Sequence, residues 1–363
     1  MSLHLDRIKT PVLAVDMGER MVRMLLYSPS AGGAYEFASP SPLGLLAGAV
    51  ARATKAGQGV YRRTAGPGDS LVAALQAHRE AGLGLAVHPE AAETLFESRA
   101  GFEQREIRVS EEAPSDDVDD VIIDIPGVSG PEPWLQLIRS LGLESPEQLL
   151  LCAPRQDGTA EREGVPAESG GMEELFAQAG ERGLAPESLF SDKADGGILR
   201  LWAIGRNVNV SAMDRSFAFA AGMLSLSPVA ARSRREGVLL LHAGRRRLTA
   251  ALVFQERLFS LLEMPLDFFT SAARPGDIPG LAQRLDDFRL GWLPSESARV
   301  RGGLVCRSQA LPPEAEGFRP AFITGENAFL LAQYGQELKG GLRGRTIRCR
   351  GLLWAFERAQ ACM

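Results

Sequence analysis

Histidine, cysteine and aromatic side chains are scarce in this chain: 363 residues hold four His, four Cys and only 7% Phe, Trp and Tyr. Cys152, Cys306, Cys349 and Cys362 show no C-x-x-C or C-x-x-x-C-x-x-C spacing, which argues against a cluster of sequence-adjacent thiolates and against a disulfide framework. His4, His78, His88 and His242 form no H-E-x-x-H pair, so nothing supports a zinc hydrolase. Long apolar runs are missing as well. The stretch Leu43-Gly-Leu-Leu-Ala-Gly-Ala-Val-Ala51 falls far short of the roughly 18 to 20 residues that cross a bilayer. Met1-Ser-Leu-His-Leu-Asp-Arg7 lacks the basic start and apolar middle of a secretory signal, and the expected compartment is the cytoplasm. There is no surplus of positive charge either. Lys plus Arg at 40 against Asp plus Glu at 45 leaves a net charge of −5, which speaks against a general nucleic-acid or anionic-membrane binder. Neither G-x-G-x-x-G nor G-x-x-x-x-G-K-[ST] occurs, so a Rossmann site and a P-loop lack support.

What is present is an ordinary globular composition, 45% hydrophobic and 23% charged, in a chain long enough for two cores. The most informative segment is Pro11-Val-Leu-Ala-Val-Asp-Met-Gly-Glu-Arg-Met-Val-Arg-Met-Leu-Leu-Tyr27. An apolar strand runs into Asp16-x-Gly18 and a second returns, a β-hairpin with one acid at its turn. Gly18 lets backbone approach a bound group, Asp16 suits a hydrated cation, and Arg23 lies on the returning strand. A second meander follows at residues 237–263, entering a turn at His242-Ala-Gly244 and leaving through Arg245-Arg-Arg-Leu-Thr249. A third landmark is the strand Phe322-Ile323 leading into Thr324-Gly325-Glu326-Asn327 and a helix over 328–334. Between them the pattern predicts helices over 43–55, 71–80, 132–141, 172–183, 216–224 and 281–288. Strands are expected at 59–65, 83–88, 121–126, 148–153 and 199–205, and a polar loop at 154–171. Gly66-Pro-Gly68 before the 71–80 helix reads as a tight turn, and the acidic stretch 111–120 as a solvated loop.

The hairpin at Asp16-x-Gly18 resembles the first phosphate loop of the actin, sugar kinase and heat-shock chaperone superfamily; Gly244 and Thr324-Gly325-x-Asn327 stand where that superfamily has its second phosphate loop and adenosine loop. The resemblance implies an α/β protein with two ribonuclease H-like (actin-like ATPase) domains facing a central cleft, residues 1–230 and 237–363. It further implies ATP or another phosphate ligand with Mg²⁺. Asp16 would act through the metal, and Gly18, Arg23, Gly244, Arg245, Thr249, Thr324, Gly325 and Asn327 would contact the ligand. His242 takes the catalytic place at which relatives have an Asp that orients water or the metal shell. Imidazole and carboxylate are not equivalent beside Mg²⁺, and Glu19 replaces the usual Thr or Ser. Two readings follow: a Mg²⁺-dependent small-molecule kinase or phosphohydrolase, or a binding protein that holds a small anion in the cleft and relays closure to a protein partner.

A narrower resemblance covers Thr64-Ala-Gly-Pro-Gly68, His78-Arg-Glu-Ala-Gly82, Glu90-Ala-Ala-Glu-Thr-Leu95, Val238 to Glu263 and Ile323-Thr-Gly325. These look like a prokaryotic family labelled pyruvate formate-lyase activating enzyme. Glycyl-radical activating enzymes need a C-x-x-x-C-x-x-C iron–sulfur site, so the cysteine pattern excludes an iron–sulfur cluster here despite the label.

Overall fold

The computed structural model describes residues 5–18, 20–62, 69–89, 108–110, 121–123, 131–153, 169–190, 208–244, 247–266, 280–293, 304–338 and 346–361. The chain divides into two units. An amino-terminal unit holds Ile8–Ala160 and Ser191–Ala212; a carboxy-terminal unit holds Met1–Arg7, Glu161–Phe190 and Met213–Met363. The boundary expected at 230–237 falls inside the second of these.

In the amino-terminal unit, β1 (Val12–Met17), β2 (Met21–Ser28) and β3 (Gly33–Pro40) form an antiparallel meander, and β8 (Gln148–Ala153) pairs with β1 in parallel. With β9 (Asn209–Asp214) the order is β3-β2-β1-β8-β9. All six residues of β1 are buried. Leu13, Val15 and Met17 share one face with Met24, Leu26 and Leu149, packed against Trp134, Leu135 and Ile138 of a helix, Glu132–Ser140. The alternation sends Asp16 to the opposite face, since successive side chains of a strand point to opposite sides. A smaller parallel sheet, β6-β5-β4-β7 (Arg108–Val109, Leu85–Val87, Val60–Arg62, Val121–Ile123), packs with α1 (Pro42–Ala56) and α2 (Asp69–Glu80). There His78 is fully buried between the Thr54 hydroxyl at 2.9 Å and the Gly84 carbonyl at 3.0 Å, a structural rather than a reactive imidazole.

The carboxy-terminal unit repeats the plan. Strands β10 (Val238–Ala243), β11 (Arg247–Phe254) and β12 (Arg257–Pro265) form the meander, with β13 (Leu304–Arg307) outside it. Strand β14 (Ala321–Thr324) runs parallel to β10 and β15 (Gln336–Glu337) parallel to β14, giving the order β13-β12-β11-β10-β14-β15. Counted from its own first strand, the amino-terminal sheet has the order 3-2-1-4-5 of a ribonuclease H-like sheet, and the carboxy-terminal sheet has that order with one further strand, β13, at its edge, 4-3-2-1-5-6; the chain is of the α/β class with two such sheets. With α1 to α3 in the amino-terminal unit (α3 being Glu132–Ser140), the helices of the second unit are α4 (Ser169–Ala179), α5 (Arg215–Leu224), α6 (Ser227–Ser233), α7 (Leu281–Arg289) and α8 (Ile347–Ala359).

Several expectations shift. Residues 169–171 open α4 rather than ending a loop, and 328–334 is a 3₁₀ turn rather than an α-helix. Strands β3, β6, β9, β13 and β15 and helices α6 and α8 come in addition. The strand expected at 199–205, the glycine turn at 66–68 and the acidic run 111–120 lie outside the described residues.

The two-residue turn between β11 and β12 places Gln255 (φ 50°) and Glu256 (φ 58°) in the left-handed region, where Asn-Gly is the usual choice. Glu256 contributes instead through ion pairs. Its carboxylate accepts from Arg234 Nη2 at 2.6 Å and from Arg358 Nη1 at 2.9 Å, and Arg358 also donates to Glu187 at 3.1 Å while lying over the Trp354 ring. Burial alone would lower the Arg358 pKa; the carboxylates of Glu187 and Glu256 more than offset it and hold the pKa raised. Arg358→Met leaves two shielded carboxylates without this donor. The expected loss is about 1 to 2 kcal/mol in a urea titration, the lower part of the range for charged hydrogen bonds because the Arg358 side chain is 37% exposed.

Candidate functional site

The first hairpin is closed by the Gly18 N–H, which donates to Met21 O at 3.1 Å. A Cβ on Gly18 would sit 2.8 Å from that carbonyl, so the turn requires glycine for a close approach. Asp16, 2% exposed, pairs in register with Arg23 on β2 and with Cys152 on β8. The three side chains therefore share one face, in the order Arg23–Asp16–Cys152. Strands β1 and β8 are parallel and both end here, the edge at which open α/β sheets take their ligands. Glu19 lies outside the described residues.

The second hairpin has the same construction. The Gly244 N–H donates to Arg247 O at 3.0 Å, and a Cβ on Gly244 would lie 3.1 Å from it. His242 pairs with Thr249 on β11 and with Thr324 on β14, so the matching row reads Thr249–His242–Thr324. In each unit the row takes one residue from the second strand of its sheet, one from the first and one from the strand that runs parallel to the first. All three members of this second row are buried: Thr249 is 6%, His242 8% and Thr324 5% exposed. The imidazole packs against Phe219 of α5, ring centroids 5.3 Å apart, and its Nε2 lies 3.6 Å from where a Gly244 Cβ would stand.

The Thr324–Asn327 loop is bound tightly to this hairpin. Gly325 has φ +118°, and a Cβ there would come within 2.2 Å of the Ala243 carbonyl oxygen. The Asn327 N–H donates to Ala243 O at 3.0 Å and its side-chain Nδ2 donates to Gly244 O at 2.8 Å. Asn327 thereby positions the His242-Ala-Gly244 turn with the amide expected to meet the ligand. Arg245, the remaining residue expected at the ligand, lies outside the described residues.

Two residues join the row that sequence reasoning did not place there. Glu263 faces Thr249 across β11 and β12 and is 8% exposed; it accepts a hydrogen bond from Ser216 Oγ and lies 3.6 Å from Arg247 Nη1. Ser216 stands in the first turn of α5, where Asp214 caps its N–H at 2.7 Å. Their pairing depends on α5 lying on the sheet, and a linear pattern carries no signal for it.

Cys152 sits on a strand of one unit, and Cys306 and Cys349 on β13 and α8 of the other, all buried. No described element carries two cysteines, so this donor set does not fit an iron–sulfur cluster. Among the described residues no three His, Cys, Asp or Glu converge as a metal site, and no helix is long and apolar enough to cross a membrane.

None of the curated proteins matches the chain. Among solved structures it is similar to the Aquifex aeolicus Ppx/GppA phosphatase, type II variant, at 10% identity over 87% of this chain and 68% of that one, TM-score 0.31. It is also similar to the inorganic polyphosphate/ATP-glucomannokinase of Arthrobacter sp. strain KM, at 12% identity over 98% of this chain and 100% of that one, TM-score 0.31. Likenesses this distant say nothing of which residues act. The family model described as "Putative pyruvate format-lyase activating enzyme (DUF1786)" matches residues 66–328, more than half of the sequence, and the chain belongs to that family.

Proposed function

We propose that this chain is an actin-like ATPase-fold protein that binds a nucleotide or phosphorylated metabolite, with Mg²⁺ held at Asp16, and that it lacks the usual route to hydrolysis. The observation that carries the reading is Asp16: a carboxylate 2% exposed, beside Arg23, at the edge where parallel strands β1 and β8 end. An ionisable group withdrawn from water at such an edge is a candidate functional group. One carboxylate is a suitable donor set for Mg²⁺, which keeps its waters and takes further oxygens from phosphates. When bound, the ion would neutralise phosphate charge. Asp16 would orient it through water, Arg23 would add positive charge, and Gly18 would keep the turn free of side-chain bulk. The argument against turnover is His242, an imidazole at the position of the second carboxylate.

The test is a thermal-shift titration with ATP, ADP and phosphate, with and without Mg²⁺, on the native chain and Asp16→Asn. Stabilisation that requires Mg²⁺ is expected, about 2.7 kcal/mol at a ligand concentration a hundredfold above Kd, and it disappears in Asp16→Asn. No shift at millimolar ligand sinks the proposal. Steady release of ADP or phosphate alongside the shift would replace the binding protein with a Mg²⁺-dependent kinase or phosphohydrolase.

A further inference from the structure

We infer that strand β3 is a self-pairing edge, which joins two copies of this chain about a two-fold axis and merges their five-stranded amino-terminal sheets into one of ten strands. The inference concerns the outer side of that sheet and does not depend on any ligand.

An open sheet ends in a row of main-chain N–H and C=O groups, and proteins shorten, charge or interrupt such edges so that other chains do not pair with them. Most sheet edges among the described residues follow that rule. Strands β6 and β15 are two residues long, β7 three and β13 four. The remaining edge strand besides β3, β9, has six. Strand β3 has eight, pairs with β2 without a bulge and carries no lysine or arginine. Its one proline, Pro40, is its last residue. Positions 34, 36, 38 and 40 are exposed along its length.

The ladder fixes what the edge presents. Ser41 N–H donates to Arg20 O at 2.7 Å, one step beyond the Met21–Pro40 pair. Bonded and unbonded positions alternate in an antiparallel pair, so the odd-numbered residues of β3 bond to β2. The N–H and C=O groups of Ala34, Glu36 and Ala38, and the C=O of Pro40, therefore point away from it. Two such edges can meet antiparallel about different centres. Centred on Glu36, the carboxylate faces its own copy, a repulsive pair. Centred on Phe37, Glu36 faces Ala38 and Ala34 faces Pro40. All three outward N–H groups then meet a carbonyl, and Pro40, which has no N–H, stands where only its C=O is used. Phe37 meets its own copy at the close, unbonded spacing, on the face where Tyr35 and Phe37 are only partly buried. The two-fold axis also lays a second α3 on that face. Trp134 Nε1 ties α3 to β3 through Ser39 Oγ at 3.1 Å, and Leu137 and Leu141 at the end of the helix are 42% and 55% exposed. This self-complementarity of hydrogen bonds and charge favours a second copy over a foreign strand, and the closed pair leaves neither β3 edge open.

The experiment is sedimentation velocity of the full chain over a concentration series, repeated with Ala38→Pro, Ala38→Glu and Ala38→Lys. The Ala38 N–H points outward, so proline there spares the ladder to β2. The expected result is a concentration-dependent dimer that Ala38→Pro reduces to monomer. Ala38→Glu sets a second carboxylate opposite Glu36 at two symmetric places and weakens the dimer about tenfold, whereas Ala38→Lys sets an opposite charge there and tightens it. Should Ala38→Pro fail to fold, the two charge variants carry the test alone, because they alter only an exposed side chain. Monomer throughout the series overturns the inference, as does a dimer that folded Ala38→Pro retains. A dimer that Ala38→Glu and Ala38→Lys shift in the same direction overturns it too, since Ala38 then does not face Glu36, and so do oligomers that grow without closing at two.

Discussion

Gly351→Ala lowers the stability of the carboxy-terminal unit by about 3 kcal/mol or more, in the upper part of what overpacking costs. Helices α5 and α8 cross with their backbones in contact. A Cβ on Gly351 would lie 1.9 Å from the Ala218 carbonyl oxygen and 2.5 Å from the Gly222 nitrogen, and one on Gly222 would lie 1.9 Å from the Ile347 carbonyl oxygen. Every atom in the way of the Gly351 Cβ is main chain, so no rotamer change relieves the clash and the helices must separate. Separation has a second effect, because α5 carries Ser216 onto Glu263 and Phe219 onto His242. Denaturant titration should give the loss of stability, and the thermal-shift titration on the same variant should show weaker stabilisation by the ligand. Gly48→Ala in α1 serves as the control of opposite sign. Its Cβ would meet only the mobile end of Arg52 at 3.5 Å, and alanine in a helix interior favours stability by about 0.5 to 1 kcal/mol. Equal losses from Gly48→Ala and Gly351→Ala would refute the crossing argument.

Gly325→Ala has the second large effect, again about 3 kcal/mol, here from two sources acting together. The residue sits at φ +118°, a conformation that side chains resist at a cost of about 1 to 3 kcal/mol, and its Cβ would be driven into the Ala243 carbonyl at 2.2 Å. The end of β14 must then move away from β10, and both hydrogen bonds of Asn327, to Ala243 O and Gly244 O, are lost with it. Asn327→Ala removes only the side-chain bond and is expected to cost about 1 kcal/mol. The ordering of the two variants in chemical denaturation is the check. An Asn327→Ala chain as unstable as Gly325→Ala would mean that the loop is held by its side chain and not by the close backbone approach.

The strand-turn-strand core was plain in the sequence because its apolar runs are dense and its turns are marked by Asp-x-Gly and His-x-Gly. Helices Pro42–Ala56, Glu132–Ser140 and Arg215–Leu224 were legible from spacing. Strand β3 was not: Gly33-Ala-Tyr-Glu-Phe-Ala-Ser-Pro40 alternates half-buried and exposed positions along its length and begins and ends with residues that read as turn. Helix α8 was obscured by its three arginines and by Gly351, the residue that its crossing with α5 demands. The 3₁₀ turn at Ala328–Tyr334 has helical composition, and hydrogen bonding rather than composition distinguishes the two forms. Of the site, Asp16, Gly18, His242 and Gly244 could be named from local pattern. Arg23, Thr249, Thr324, Gly325 and Asn327 were named beside them through the resemblance; Cys152, Glu263 and Ser216 could not be, because they reach the rows only through strand register and helix docking, which are long-range properties of the fold.

The matched closure of the two hairpins also sets the terms on which such a protein can drift. Because strand side chains alternate faces, one residue added to or removed from either turn would slip the pairing across the hairpin, so that Asp16 no longer faces Arg23 or His242 no longer faces Thr249. Exchange of the residue at a station leaves the scaffold untouched. The two hairpins already differ in this way: one closure carries a carboxylate at Asp16 and the other an imidazole at His242, so a station takes either group while turn length is held fixed.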